Sequence, residues 1–222
     1  MTAWRVLTGV LVGGLFIIAP RGWAEPFVIG KLKYSGGGDW YANPSSLRNL
    51  LAEVNRRTTI RAQPTEKIVT LMDDDLADIP FLFVTGHGNI RFTPEEGRRL
   101  REYLLKGGFL HGDDCYGLDE YFRREVKKVF PDRPLEELPF SHPIYHCFYD
   151  FPHGLPKIHE HHGGPPHGYG IRDDAGRVVL FYSYNTDLSD GWESPEVHHD
   201  PPETREAALK MGINIVVYAL TH

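Results

Sequence analysis

The stretch GGFLHGDDCYG at residues 107–117 decides how the chain is read. Its two glycines stop a helix, Phe109, Leu110 and His111 make a short buried strand, and Gly112, Asp113, Asp114 and Cys115 form a polar corner before another helix. In open α/β sheets the carboxyl ends of parallel strands leave a crevice where ligands sit. A strand that ends in two carboxylates and a thiol therefore predicts a site at that edge.

The preceding helix is punctuated clearly, with Thr93 as N-cap, Pro94 in the first turn, Glu96 completing a capping box and Gly107 as the stop. Before it, PFLFVT at 80–85 is almost wholly apolar, as in a strand buried on both faces, and it delivers His87 between two glycines. A first strand is expected at 26–34, running through Gly36, Gly37 and Gly38 to Asp39 and Trp40, and an edge strand at 67–72. Leu47, Leu50, Leu51 and Val54 predict a helix between them, capped by Ser45 or Ser46.

After the polar corner, Leu118, Tyr121, Phe122, Val126 and Val129 stripe a helix that Pro131 ends. The sheet pattern then lapses into a Pro-, His- and Gly-rich insertion at 133–176, with one short strand expected at 144–149. RVVLFYSY at 177–184 restores a buried strand that empties into Asn185, Thr186 and Asp187. A second capping box, Asp200 to Glu203, opens a last helix striped by Ala207, Ala208, Met211, Ile215 and Tyr218. Helices alternating with apolar strands predict an α/β three-layer sandwich with a mainly parallel sheet. That fold would gather Asp39, Trp40, His87, Asp113, Asp114, Cys115, Asn185 and Asp187 at one edge.

The first 24 of the 222 residues read as a secretory signal peptide: Arg5 supplies positive charge, 6–18 an apolar run, and Gly22, Trp23 and Ala24 a small-x-small cleavage site. A retained anchor is the competing reading, but the run is short for a span. The remaining 25–222 is expected to be one α/β domain, periplasmic or secreted, with no stable membrane span after cleavage. The net charge is −6, and no basic stripe exists to neutralise phosphates, so nucleic acid is excluded as a partner. The two cysteines, Cys115 and Cys147, are either one disulfide or two thiols.

The motifs GGFLHGDDCYG, FSHPIYHCFYDF at 140–151 and YNTDLSDGWE at 184–193, in that order, resemble the bacterial family known as domain of unknown function 4159. More distantly the layout resembles the class I glutamine amidotransferase-like fold, a flavodoxin-like three-layer sandwich. The resemblance implies the fold and the place of the pocket but no reaction. The amidotransferase comparison would make Cys115 a nucleophile on a strained elbow, yet Asp113 stands where such elbows need a small residue. Adjacent carboxylates also oppose thiolate formation.

Asp113 and Asp114, with His87, are the candidate catalytic residues: a carboxylate pair can hold a cation or share a proton, although one of the two is expected to cap the following helix. Asp39, Trp40, Cys115, Asn185, Asp187, Trp192 and Glu193 are the candidate ligand-binding wall, with Trp192 alternatively a hydrophobic plug. The insertion carries His153, His159, His161, His162 and His167, and His198 and His199 follow downstream. His159, His161, His162 and His167 are the candidate metal ligands, suited as imidazoles to zinc, copper or nickel, with Glu160 or Glu193 completing a site. Three functions follow from these residues. The first is binding of a small polar ligand or transition metal, the second metal-assisted hydrolysis with an acid from Asp113, Asp114 or Glu193, and the third an envelope interaction module without catalysis.

Overall fold

The structure, a computed structural model, describes residues 25–222, so the expected leader lies outside the described residues. Among these residues seven strands form one sheet: β1 (Ile29–Leu32), β2 (Lys67–Val69), β3 (Phe81–Val84), β4 (Phe109–Asp113), β5 (Glu136–Glu137), β6 (His167–Arg172) and β7 (Val178–Tyr184). They lie in the order β2-β1-β3-β4-β7-β6-β5. The first five in that row are parallel, and β6 and β5 add an antiparallel wing. Relabelled in chain order, the parallel strands run 2-1-3-4-5, the order of flavodoxin-like doubly wound sheets.

Among the described residues six helices cover the sheet: α1 (Ser46–Arg57), α2 (Pro94–Leu105), α3 (Asp119–Val129), α4 (Leu188–Trp192), α5 (Pro195–His198) and α6 (Pro202–Thr221). The strands alternate their side chains between two cores, as the two-residue period of a strand requires. Phe81, Phe83, Phe109 and Phe181 face α1, α4 and α6, whereas Leu82, Val84, Leu110 and Leu180 face α2 and α3. The expected three-layer α/β sandwich is the observed fold. No helix among the described residues is long and apolar enough to cross a membrane.

α2 begins as the sequence predicts, with Thr93 and Glu96 exchanging both bonds of a capping box. α6 does not: Asp200 leaves its place in the expected box, Pro201 is the N-cap, and no side chain caps the helix. The Asp200 carboxylate has gone instead to the ring of His159, a long-range partner that local pattern reading does not see. Neither Asp113 nor Asp114 caps α3, whose N-cap is Leu118. Both carboxylates turn instead toward the chain at and just after β7, where Ser183, Asn185 and Ser189 donate to them.

The insertion departs furthest from expectation. The strand expected at 144–149 is absent, and a 3-10 turn, Pro143–Tyr145, stands there with His142 Nδ1 accepting from the Ile144 N–H at 3.2 Å. The insertion instead gives the sheet β5 and β6. Its middle is clamped to α6 by Asn214, a buried amide that donates to the Ile144 and Tyr149 carbonyls (3.2 and 2.8 Å) and accepts from the Tyr149 N–H at 2.7 Å. Cys147 donates its thiol to the Asn214 carbonyl at 3.2 Å, and both cysteines are free.

Candidate functional site

β3, β4 and β7 are parallel neighbours, so their carboxyl ends open on the same edge and bring His87, Asp113 to Cys115, and Asn185 to Asp190 to one rim. Asp113 is the buried keystone. It accepts from Ser183 Oγ at 2.6 Å and from the Ser189 N–H at 2.7 Å, which fixes α4 to β4. With its hydroxyl proton spent on Asp113, Ser183 accepts from His111 Nε2 at 2.8 Å. His111 lies stacked on Phe181 beneath, and burial pushes its pKa down to about 3, so the ring is neutral. Burial, reinforced by the charge of Asp187, pushes Asp113 up to about 7. Asp114 accepts from the Asn185 N–H at 3.0 Å and is raised by burial to about 6.

The chain leaves β7 through two residues in left-handed backbone, Asn185 (φ 57°) and Asp187 (φ 59°). Short polar side chains tolerate that conformation, and here it drops Asp187 beside β4 rather than into solvent. Asp187 is 1% exposed, and neither of its carboxylate oxygens receives an aligned hydrogen bond. Its Oδ2 touches His161 Nε2 and lies 3.7 Å from His159 Nδ1. One helical turn on, Asp190 Oδ2 lies 3.0 Å from His159 Nδ1 and 3.6 Å from His198 Nε2, while its Oδ1 accepts from Asn43 Nδ2 at 2.6 Å. His159 Nε2 meets Asp200 Oδ1 at 2.9 Å.

These carboxylates set the charge state of the imidazoles. The hydrogen bond to Asp190, opposed by burial and helped by Asp200, lifts His159 to about 9. His161 is raised in the same direction by Asp187. Burial pushes Asp190 upward, but its contacts with His159, His198 and Asn43 outweigh it and hold the carboxyl below its ordinary value. Among the described residues two groups of donor atoms lie close enough to share a cation: His159, Asp190 and His198, and Cys115, Asp187 and Asp190.

The other expected site residues have different employment. Trp192 is 1% exposed in the core and donates its indole N–H to the Ala208 carbonyl at 2.8 Å, so it is the plug and not a pocket wall. Glu193 seals the start of α1, accepting from the Ser45 and Ser46 N–H groups at 3.0 and 3.1 Å. Asp39 and His87 satisfy one another at the rim, Nδ1 to Oδ2 at 3.0 Å, with the His87 N–H also donating to Asp39. Trp40 is half-buried under the Lys33 ammonium and against Tyr41. Among the expected metal ligands, only His159 and His161 reach the carboxylates. The His162 ring stacks on exposed Tyr116 while the His162 backbone N–H donates to Asn185 Oδ1, and His167 in β6 pairs with Glu137 at 2.8 Å.

Asp200 and Asn43 are the participants that sequence reading did not place at the site, and His198 was noted only as lying downstream of the insertion. Asp187 and Asp190 stand three residues apart, a spacing that puts two side chains on one face of a helical turn, and that was the available signal. Two surface grooves of about 550 and 780 Å³ lie against α2, lined by such residues as Arg99 and Tyr103 or Arg98 and Lys128, away from this cluster. No curated protein matches the sequence. The sequence model of one family matches residues 28–220, and the chain belongs to that family, described as domain of unknown function (DUF4159).

Proposed function

We propose that this protein holds a divalent transition cation at the carboxyl ends of β4 and β7, between His159, Asp187, Asp190 and His198, with His161 at its mouth. The observation that carries the reading is Asp187. A carboxylate 1% exposed, with nothing on Oδ1 and only the His161 ring against Oδ2, is costly unless a cation repays it. Four bonds of about 2.0–2.1 Å set tetrahedrally put the ligand atoms about 3.3–3.4 Å apart. Three of the six separations in such a set, 3.0, 3.7 and 3.6 Å, lie near that value, and His159, Asp190 and His198 have donor atoms all within 4.8 Å of one another.

The surroundings support it. Metal-bound imidazoles give their second nitrogen to a carboxylate, which fixes the ring and its tautomer, and Asp200 stands in that position on His159 Nε2. Asn43 steadies the far oxygen of Asp190 in the same way. The carboxylates that raise His159 and His161 favour a proton where a cation would sit, so binding would displace it. Two imidazoles with two carboxylates are a zinc-type donor set, and copper or nickel would compete for it.

A second reading, metal-assisted hydrolysis, is favoured by the rim. Tyr116, 63% exposed, lies edge-on to His161, so a substrate could approach the cation from that side. The test is calorimetric titration of zinc into chelator-treated protein without a tag. Saturable binding that His159→Ala and Asp190→Asn abolish, and that His153→Ala leaves intact, is the expected result. Binding indifferent to His159 and Asp190 would overturn the reading. Turnover of esters, amides or phosphates by the loaded protein separates hydrolysis from holding. We also propose an extracytoplasmic location, with cleavage after Ala24. A mature chain beginning at Glu25 by intact-mass analysis is expected, and retention of 1–24 would refute it.

A further inference from the structure

The geometry points to a second cation position beside the first, taking a soft divalent ion on the Cys115 thiolate with Asp187 and Asp190 as bridging carboxylates. This rests on the cation site already proposed and deepens it from one ion to two. Its basis is the way the two aspartates divide their oxygens. Both Oδ2 atoms face imidazoles: that of Asp187 meets His161 and His159, that of Asp190 meets His159 and His198.

The Oδ1 atoms are left for other partners. Asp190 Oδ1 accepts from Asn43 Nδ2, whose nitrogen is itself 3.9 Å from Cys115 Sγ. Asp187 Oδ1 is buried with no donor at all. Cys115 Sγ, at the tip of β4, lies within 4.8 Å of a carboxylate oxygen of each aspartate. A carboxylate has lone pairs on both oxygens, and two of them side by side can clamp ions about 3.5–4 Å apart.

The thiol's setting fits a metal ligand better than a nucleophile. Cys115 is buried, and its remaining close contact is Thr85 Oγ1 at 3.1 Å. Burial and the neighbouring carboxylates keep the free thiol protonated. A bound cation reverses that balance: the S–H bond breaks, the sulfur–metal bond forms, and the proton leaves to solvent. Sulfur among the donors selects zinc, cadmium or cobalt over calcium and magnesium.

The test is a cobalt(II) titration of the chelator-treated mature protein under reducing conditions, followed by near-ultraviolet absorbance. Two equivalents are expected, one of them raising a thiolate-to-cobalt charge-transfer band. Cys115→Ser should lose the band and halve the stoichiometry, with Cys147→Ser unchanged and unfolding curves showing both variants folded. One equivalent without the band in the unsubstituted protein would overturn the second position and leave the first standing. Two equivalents retained by Cys115→Ser would also overturn it. No cobalt bound would overturn both.

Discussion

Replacing Asp187 by asparagine should stabilise the protein without cation while abolishing its response to cation. The side chain is 1% exposed, and its two oxygens lack aligned donors. A buried polar group left unsatisfied costs about 1–3 kcal/mol, more when charged. The amide would keep the shape, shed the charge and suit the left-handed backbone at φ 59°. Against this stands the loss of the His161 contact. The net gain expected in chelator is about 1–2 kcal/mol, or about 3–6 °C in Tm for a domain of this size.

Zinc at a hundredfold excess over Kd should stabilise the unsubstituted protein by about 2.7 kcal/mol, which reverses the order of the two proteins. Thermal unfolding in chelator and in zinc, at pH 8, reads both effects. A variant less stable than its parent in chelator, or one that keeps the full zinc shift, would refute the reasoning.

Three further outcomes follow from the packing. Asn214→Leu strands the Tyr149 N–H and the Ile144 and Tyr149 carbonyls, so a loss of about 3 kcal/mol is expected in urea unfolding, and a loss below about 1 would show that the insertion is not clamped there. Gly112→Ala would put a methyl 2.5 Å from the Phe122 ring in the middle of β4, and about 1–3 kcal/mol of destabilisation should appear in the same assay. His142 is held by burial down to about 4, below its unfolded value near 6.5, so it contributes stability above pH 6.5 that drains away as pH falls toward 4. The shift corresponds to about 3 kcal/mol over that window. His142→Asn, which keeps an acceptor for the Ile144 N–H, should flatten the profile there, and an unchanged slope would exclude His142 as its source.

The parallel core was legible because its signals are local. PFLFVT, the Thr93 capping box and the strand of the 107–117 stretch carry their own periodicity and punctuation, and each lies where expected. The shared edge of His87, Asp113 and Asp187 followed from the expectation of a parallel sheet, whose strands end on one side. What was hidden depends on partners far along the chain. Asp200 resembles a cap until His159, 41 positions away, claims it, and Asp113 resembles one until the Ser189 N–H arrives from 76 positions away. The insertion misled for the same reason. Ile144 to Tyr149 has strand composition, but Pro143 and the Asn214 clamp fix it as a turn, while His167 leaves the histidine cluster to become sheet.

Anomalous scattering at the zinc edge from crystals of the zinc-loaded protein tests the cation site most directly. A peak is expected within bonding distance of His159 Nδ1, Asp187 and Asp190, inside the corner closed by β4, β7 and α4. Peaks confined to surface histidines such as His153 or His222, with that corner dark, would contradict it.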